Sequence, residues 1–212
     1  MKKIVLTFAA LVAFTFANAQ ETESTGFGFA GGDIMLEGNI GFSSTKDKNE
    51  PVTTTNTFDF NPKVGYFIAD DFAVGVALGI GSDKTEVEMP GATTETKTTN
   101  FNAGVFGRYY FLDLGQRFKT YTELGIGMTS EKSETTGADE IKTNGFGAGL
   151  SLGINYFVTE NIAINFTLAD LLAYNTSKVD VDGAEAESTF TGNIGQFNNF
   201  FSTATFGVTF KF

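Results

Sequence analysis

At 212 residues the chain has room for one substantial domain. It contains no Cys and no His, which removes disulfides, thiolate metal sites and the usual neutral-pH general base. Its formal charge of −11 argues against nucleic acid, because phosphate binding needs clustered Lys and Arg.

Residues 1–19 read as a signal peptide. Lys2 and Lys3 form a positive head, Ile4 to Phe16 an apolar run, and Ala17-Asn18-Ala19 a small-x-small cleavage pattern. That run is too short for a membrane-spanning helix, which needs roughly 20 residues. Cleavage would remove two lysines and leave 12 basic against 25 acidic side chains, a net of −13. Residues 20–32 follow as an expected flexible lead-in. They contain Gly26-Phe27-Gly28-Phe29-Ala30-Gly31, which matches G-x-G-x-x-G literally. The dinucleotide fingerprint needs a strand before it and a helix after it, and neither is expected here.

From residue 33 to 212 the sequence alternates with period two in eight segments separated by polar stretches, which predicts an all-β antiparallel domain. The first sets Ile34, Leu36, Ile40 and Phe42 against Glu37 and Asn39. The second sets Phe58, Phe60, Val64 and Tyr66 against Asp59, Asn61 and Lys63. The third runs from Phe72 to Ile80 with Gly and Ala between its apolar residues. The fourth sets Phe101, Val105 and Tyr109 against Asn102, Gly104 and Arg108. The fifth sets Leu124, Ile126 and Met128 against Glu123 and Gly127. The sixth runs from Phe146 to Tyr156 with Gly and Ser between. The seventh has Ile162, Ile164, Phe166 and Leu168 against Ala163, Asn165 and Thr167. The last is expected over Phe200 to Phe212, with Phe206, Phe210 and Phe212 against Gly207, Thr209 and Lys211.

The connections near 67–71, 112–117 and 157–161 are short. Those near 44–56, 82–99, 130–143 and 171–196 are long and polar, and are expected as loops. No stretch after the signal peptide has 18 consecutive apolar residues. A membrane protein without such stretches has one other solution for its backbone, a closed barrel.

Glu37, Asp59, Lys63, Arg108, Glu123 and Lys211 all occupy the phase opposite the large apolar residues. That phase also holds most of the strand Gly, Ala, Ser, Thr and Asn, which suit a narrow interior. Eight strands leave too little volume to hide the Phe, Leu, Ile and Val of the other phase. Facing them to lipid is favourable, whereas Lys or Arg at the lipid midplane costs roughly 2–4 kcal/mol. The expected arrangement is therefore an eight-stranded up-and-down transmembrane barrel with charges inside. Within the lumen, Arg108 is expected to pair with Glu123 or Glu37, and Lys63 with Asp59. Aromatics at the short-turn end (Tyr66, Phe67 and Phe72; Tyr109, Tyr110 and Phe111; Tyr156 and Phe157; Phe210 and Phe212) are expected as an interfacial girdle. Asp170 falls in the lipid-facing phase of its strand, so it is expected at the outer rim or beside a bulge.

The terminal strand ending in Phe212, the Gly-Arg-Tyr-Tyr-Phe run at 107–111 and the Gly-Tyr-Phe turn at 65–67 resemble the small OmpA/OmpX-like outer-membrane β-barrel family. The resemblance implies a bacterial outer-membrane location with both termini periplasmic. It also implies that Phe206, Phe210 and Phe212 form the C-terminal signal read by the barrel-assembly machinery. Lipid and lipopolysaccharide are the expected surroundings, and an unidentified extracellular ligand at the loops is an expected partner.

No catalytic, cofactor or metal site is expected. Asp180-Val181-Asp182-Gly183-Ala184-Glu185-Ala186-Glu187 lacks the twelve-residue spacing of a calcium loop, and reads as a solvated acidic loop. Barrel enzymes of similar architecture rely on His, which this chain lacks. The expectation is a non-enzymatic structural or surface-interaction barrel. A narrow pore lined by the interior charges is the alternative, and a lipid-modifying enzyme a remote one.

Overall fold

The computed structural model describes residues 26–193 and 205–212. The expected signal peptide and Phe200 of the last strand lie outside the described residues. Nine strands are present among them: β1 (Ile34–Asp47), β2 (Val52–Ala69), β3 (Phe72–Met89), β4 (Ala92–Asp113), β5 (Phe118–Thr135), β6 (Ile141–Phe157), β7 (Ile162–Val179), β8 (Glu187–Gly192) and β9 (Thr205–Lys211).

Each of β1 to β7 pairs antiparallel with the next, and β9 bonds to both β7 and β1. Eight strands thus close a ring, and no edge is left at the closure, where Met35 to Gly38 face Val208 to Lys211. β8 pairs with the far half of β7, from Leu172 to Ser177, beyond the reach of β9.

The two phases separate as alternation requires. Val76, Val105 and Leu124 point outward and are 52%, 58% and 53% exposed, while Arg108 on the other phase is 0% exposed. Such a surface suits lipid, where apolar contact carries no hydration cost.

Glycine makes room for the inward side chains. A Cβ on Gly75 would lie 2.7 Å from the Phe106 ring, one on Gly79 2.1 Å from Asn102 Nδ2, and one on Gly153 2.2 Å from the Tyr121 ring. Phe106, Asn102 and Tyr121 therefore each lie against a glycine of a neighbouring strand.

Three expectations are corrected. The connections at 44–56, 82–99 and 130–143 are mostly strand. β3 and β4 continue to a two-residue turn at Pro90-Gly91, where Gly91 takes φ 86. Spanning a bilayer takes about 9–11 residues, so β4, with 22, rises well beyond it. The long connections are paired hairpins because their Thr-rich strands keep β-propensity beyond the apolar band.

Second, the girdle loses three members. Phe67, Tyr110 and Phe157 are buried inside, while Tyr66, Tyr109, Phe111 and Phe210 face outward. Third, the described part of the lead-in, residues 26–32, is packed against the barrel mouth. Phe29 is buried, because an aromatic pocket inside the mouth is worth more than solvent exposure of its ring.

β7 carries two irregularities. Its pairing with β6 shifts between Leu150 and Ser151 and again between Leu152 and Gly153. Asp170 thereby stands opposite Ser151, in the phase of Glu123. The bulges re-aim a residue that unbroken alternation would have turned to lipid.

Candidate functional site: a charge-braced lumen

The lower half of the lumen, toward the short turns, is built on Arg108 of β4. Its Nη1 and Nη2 donate to the two carboxylate oxygens of Glu37 on β1, both at 2.7 Å. Its Nε donates to Glu123 Oε2 on β5 at 2.8 Å, with Nη2 2.6 Å from the same oxygen. Lys63 of β2 donates to the other oxygen of Glu123. Two cations and two carboxylates thus neutralise one another, as a low-dielectric interior demands. The fork of the guanidinium allows the bidentate bond to Glu37, which an ammonium could not make.

The network continues around the ring. Thr209 of β9 donates its hydroxyl to Glu37 Oε2 at 2.8 Å, and Asn155 of β6 donates to Thr209 at 3.2 Å. Asn165 of β7 donates to Asn155 Oδ1 at 3.0 Å and to the Tyr121 hydroxyl at 2.8 Å. The Arg108 guanidinium carbon lies 4.0 Å from the centre of the Tyr121 ring, a cation–π contact. Seven of the eight ring strands contribute to this brace. The eighth, β3, contributes the small Ala73 and Ala77, which leave space for it.

Beneath the brace, residues 26–32 close the mouth. The Phe29 ring stacks on Phe67 with centroids 4.3 Å apart, and lies 5.0 Å from Tyr110 and 5.2 Å from Phe157. Lys211 Nζ donates to the carbonyls of Gly26 and Gly28 at 3.0 and 2.9 Å. Gly31 N–H donates to Asp70 Oδ1 at 2.8 Å, which ties the segment to the β2–β3 turn. The Arg117 guanidinium sits 4.5 Å from the Phe27 ring centre. Of the glycines in the literal G-x-G-x-x-G match, Gly26 and Gly28 take φ 84 and 120 and so serve the backbone path of the segment.

Of the sequence-derived candidates, Glu37, Lys63, Arg108 and Glu123 come together in one cluster. Asp59 does not: Lys63 reaches across the lumen to Glu123, and Asp59 makes no ion pair among the described residues. Lys211 stands apart, on backbone carbonyls at the mouth. Phe206 faces outward, in edge contact with Phe166 at 5.2 Å. Phe210 is 40% exposed, and Phe212 exchanges two backbone bonds of 2.9 Å with Ile34. The residues missed from sequence were Met35, Phe67, Phe106, Tyr110, Tyr121, Asn155, Asn165 and Thr209. Six of the eight, all but Phe67 and Asn155, lie two positions from a charged or polar inward neighbour, and that parity is the signal that finds them.

The sequence from residue 6 to 212 matches the model of the outer membrane protein beta-barrel domain. The chain belongs to that family. It is accordingly a protein of the bacterial outer membrane. Among solved structures, it is similar to the outer membrane protein OprG from Pseudomonas aeruginosa, at 13% identity and a TM-score of 0.49, over 87% of this chain and 98% of that one. Neisserial surface protein A matches at 16% identity and a TM-score of 0.42, over 85% and 96% of the two chains. Ail, the attachment invasion locus protein of Yersinia pestis, matches at 14% identity and a TM-score of 0.39, over 86% and 99%. No curated protein sequence matches the chain. In this family member the short turns are taken as periplasmic and the long hairpins as extracellular, the usual asymmetry of such barrels.

Proposed function

We propose that the protein is a non-enzymatic, non-conducting barrel that anchors rigid extracellular hairpins, a platform for contacts at the cell surface. The observation that carries this reading is the double seal. Arg108, wholly buried and clasped by Glu37 and Glu123, crosses the lumen, and Phe29 fills the mouth below it. An ion crossing would have to break a neutralised, fully bonded cluster, a poor design for a conducting path. The same bonding speaks against catalysis at the brace, since Glu37 and Glu123 are already committed to cations and no imidazole is present. The hairpins support the platform role, because strands of 18 to 22 residues in β3, β4 and β5 carry the sheet beyond the membrane.

Planar-bilayer recording of the purified, refolded protein tests the proposal. No discrete conductance steps are expected from the wild type. Reproducible steps that vanish on Arg108→Ala would replace the platform reading with that of a narrow pore.

A further inference from the structure

The outward face above the membrane carries a second regularity. The last lipid-facing residues before the hairpins are Phe42, Ile80, Phe101, Met128, Phe146 and Tyr174, all exposed. Four residues farther along each of these strands, on the same face, stands a lysine: Lys46, Lys84, Lys97, Lys132, Lys142 and Lys178. Among the described strands, β2 and β8 depart, with Thr54 four residues beyond Phe58 and Ala186 four beyond Phe190. The strand pairing staggers the apolar rim and the lysines by the same steps: Phe101 faces Ser130, while Lys97 faces Glu134, each two positions from the next member. The lysines therefore form a ring parallel to the apolar rim. Four residues at about 3.3 Å each, on strands tilted about 45°, place it roughly 9–10 Å above that rim.

This level collects half of the basic residues. Of the 12 Lys and Arg after the signal peptide, six lie in the ring, in a chain whose net charge is strongly negative. Its arrangement does not fit a belt built for internal pairing alone. Lys84 stands directly opposite Lys97, and Lys132 directly opposite Lys142. Like charges facing each other across strands destabilise a sheet. A belt serving the barrel alone would alternate signs at these positions. Glu86, Glu95, Glu134 and Glu140 stand two residues farther out. They answer some of the charge: Lys84 holds Glu86 and Glu95 at 2.6 and 3.1 Å, and Lys132 holds Glu134 and Glu140 at 3.0 and 2.6 Å. Lys46, Lys97 and Lys178 make no ion pair among the described residues, and all three are exposed.

We infer that the lysine ring binds the phosphate groups of lipids in the outer leaflet, and specifically those on the glucosamine disaccharide of lipopolysaccharide. The height is that of the headgroup layer. The lysines stand on six of the barrel strands, on the face that meets lipid. Ammonium groups on flexible stems suit phosphates whose positions vary from one lipid to the next. The inference is independent of the platform reading, because a conducting barrel could carry the same ring.

Native mass spectrometry of the full barrel released from detergent, with lipid A as the probe, tests it. The wild type is expected to retain bisphosphorylated lipid A. The triple variant K46Q/K97Q/K178Q is expected to lose retention by roughly a hundredfold, since each basic group near an anionic surface is worth about fivefold in partition. Lys119→Gln, at the periplasmic end, is the control and should retain lipid A like the wild type. Heat-modifiable gel migration confirms that each variant is folded. Equal retention by the wild type and the triple variant would overturn the inference. Equal retention of fully dephosphorylated lipid A would do the same, by showing that sugar and acyl contacts suffice. Complete displacement by millimolar inorganic phosphate would shift the site from lipid-borne to free phosphate, and so would also count against it.

Discussion

The two halves of the lumen solve the same problem in opposite ways. The periplasmic half holds large and charged side chains with little solvent contact, and its charged groups are bonded to partners on other strands or on the docked segment. The extracellular half is lined by short amides and hydroxyls, such as Asn39, Asn61, Asn100, Asn102 and Thr129, which are at most partly buried. Bonds there run between direct neighbours, as from Asn61 to Asn39 at 3.0 Å. Water can replace any of these partners. Below, it cannot. The difference teaches that stability is concentrated in the brace, whereas the upper lumen is a solvated vestibule whose exact side chains matter little.

Replacing Arg108 breaks the comparison hardest. Arg108→Ala strands the Glu37 carboxylate in a buried site, leaves Glu123 with Lys63 alone, and is expected to cost about 3–5 kcal/mol, read as a lower unfolding midpoint in urea. Phe29→Ala removes the ring at the centre of the mouth, worth about 1.5–3 kcal/mol of burial. Its main effect should be local, with hydrogen exchange at residues 26–32 rising sharply while the strands stay protected. If the strands lose protection equally, the plug is part of the brace and the division drawn above is misplaced. Gly153→Ala should cost about 1–3 kcal/mol, because the new methyl meets the Tyr121 ring. Asn102→Ala in the vestibule is expected to stay within about 0.5 kcal/mol. A loss as large as that of Gly153→Ala would erase the contrast between the halves.

The smallest effect is expected outside the lumen. In the periplasmic β2–β3 turn, burial and the neighbouring Asp113 raise the Asp71 carboxyl above its usual range. A raised acid disfavours the folded state once ionised, so stability falls as pH rises from the unfolded toward the folded value. Asp71→Asn should therefore stabilise slightly at neutral pH, by under about 0.5 kcal/mol given its exposure, with no gain at low pH. Asn also tolerates the positive φ of 61 found there. A gain that persists in acid would point to the turn geometry instead of the charge.

Much of this was legible in the sequence, and the boundary of legibility is physical. Period-two alternation reveals which side chains turn inward, so Glu37, Arg108 and Glu123 could be assigned to the lumen without coordinates. Alternation carries no information on which inward groups meet across the barrel, because that depends on the stagger between strands. Lys63 consequently bonds to Glu123, on a strand not adjacent to its own, and not to Asp59, four residues away. Parity was available for Phe67, Tyr110 and Phe157, but their position at the strand ends suggested the lipid interface. Residues 26–32 belong to no strand, so their docking is visible only when the aromatic pocket has been assembled. Asp170 was marked by its misfit in the pattern, and the paired bulges of β7 account for it.

Lys211 and the carbonyls it holds are 185 and 183 positions apart in the chain. The cradle that receives Phe29 draws on β2, β4 and β6, while Lys211 belongs to β9, the last strand to be made. It is complete only when β9 has met β1. Docking of the segment is therefore a chronological marker: it records that the ring has closed. A barrel stalled with that seam open would leave residues 26–32 within reach of periplasmic proteases, and a finished one would hide them. The same few residues thus join the early strands of the ring to its last one.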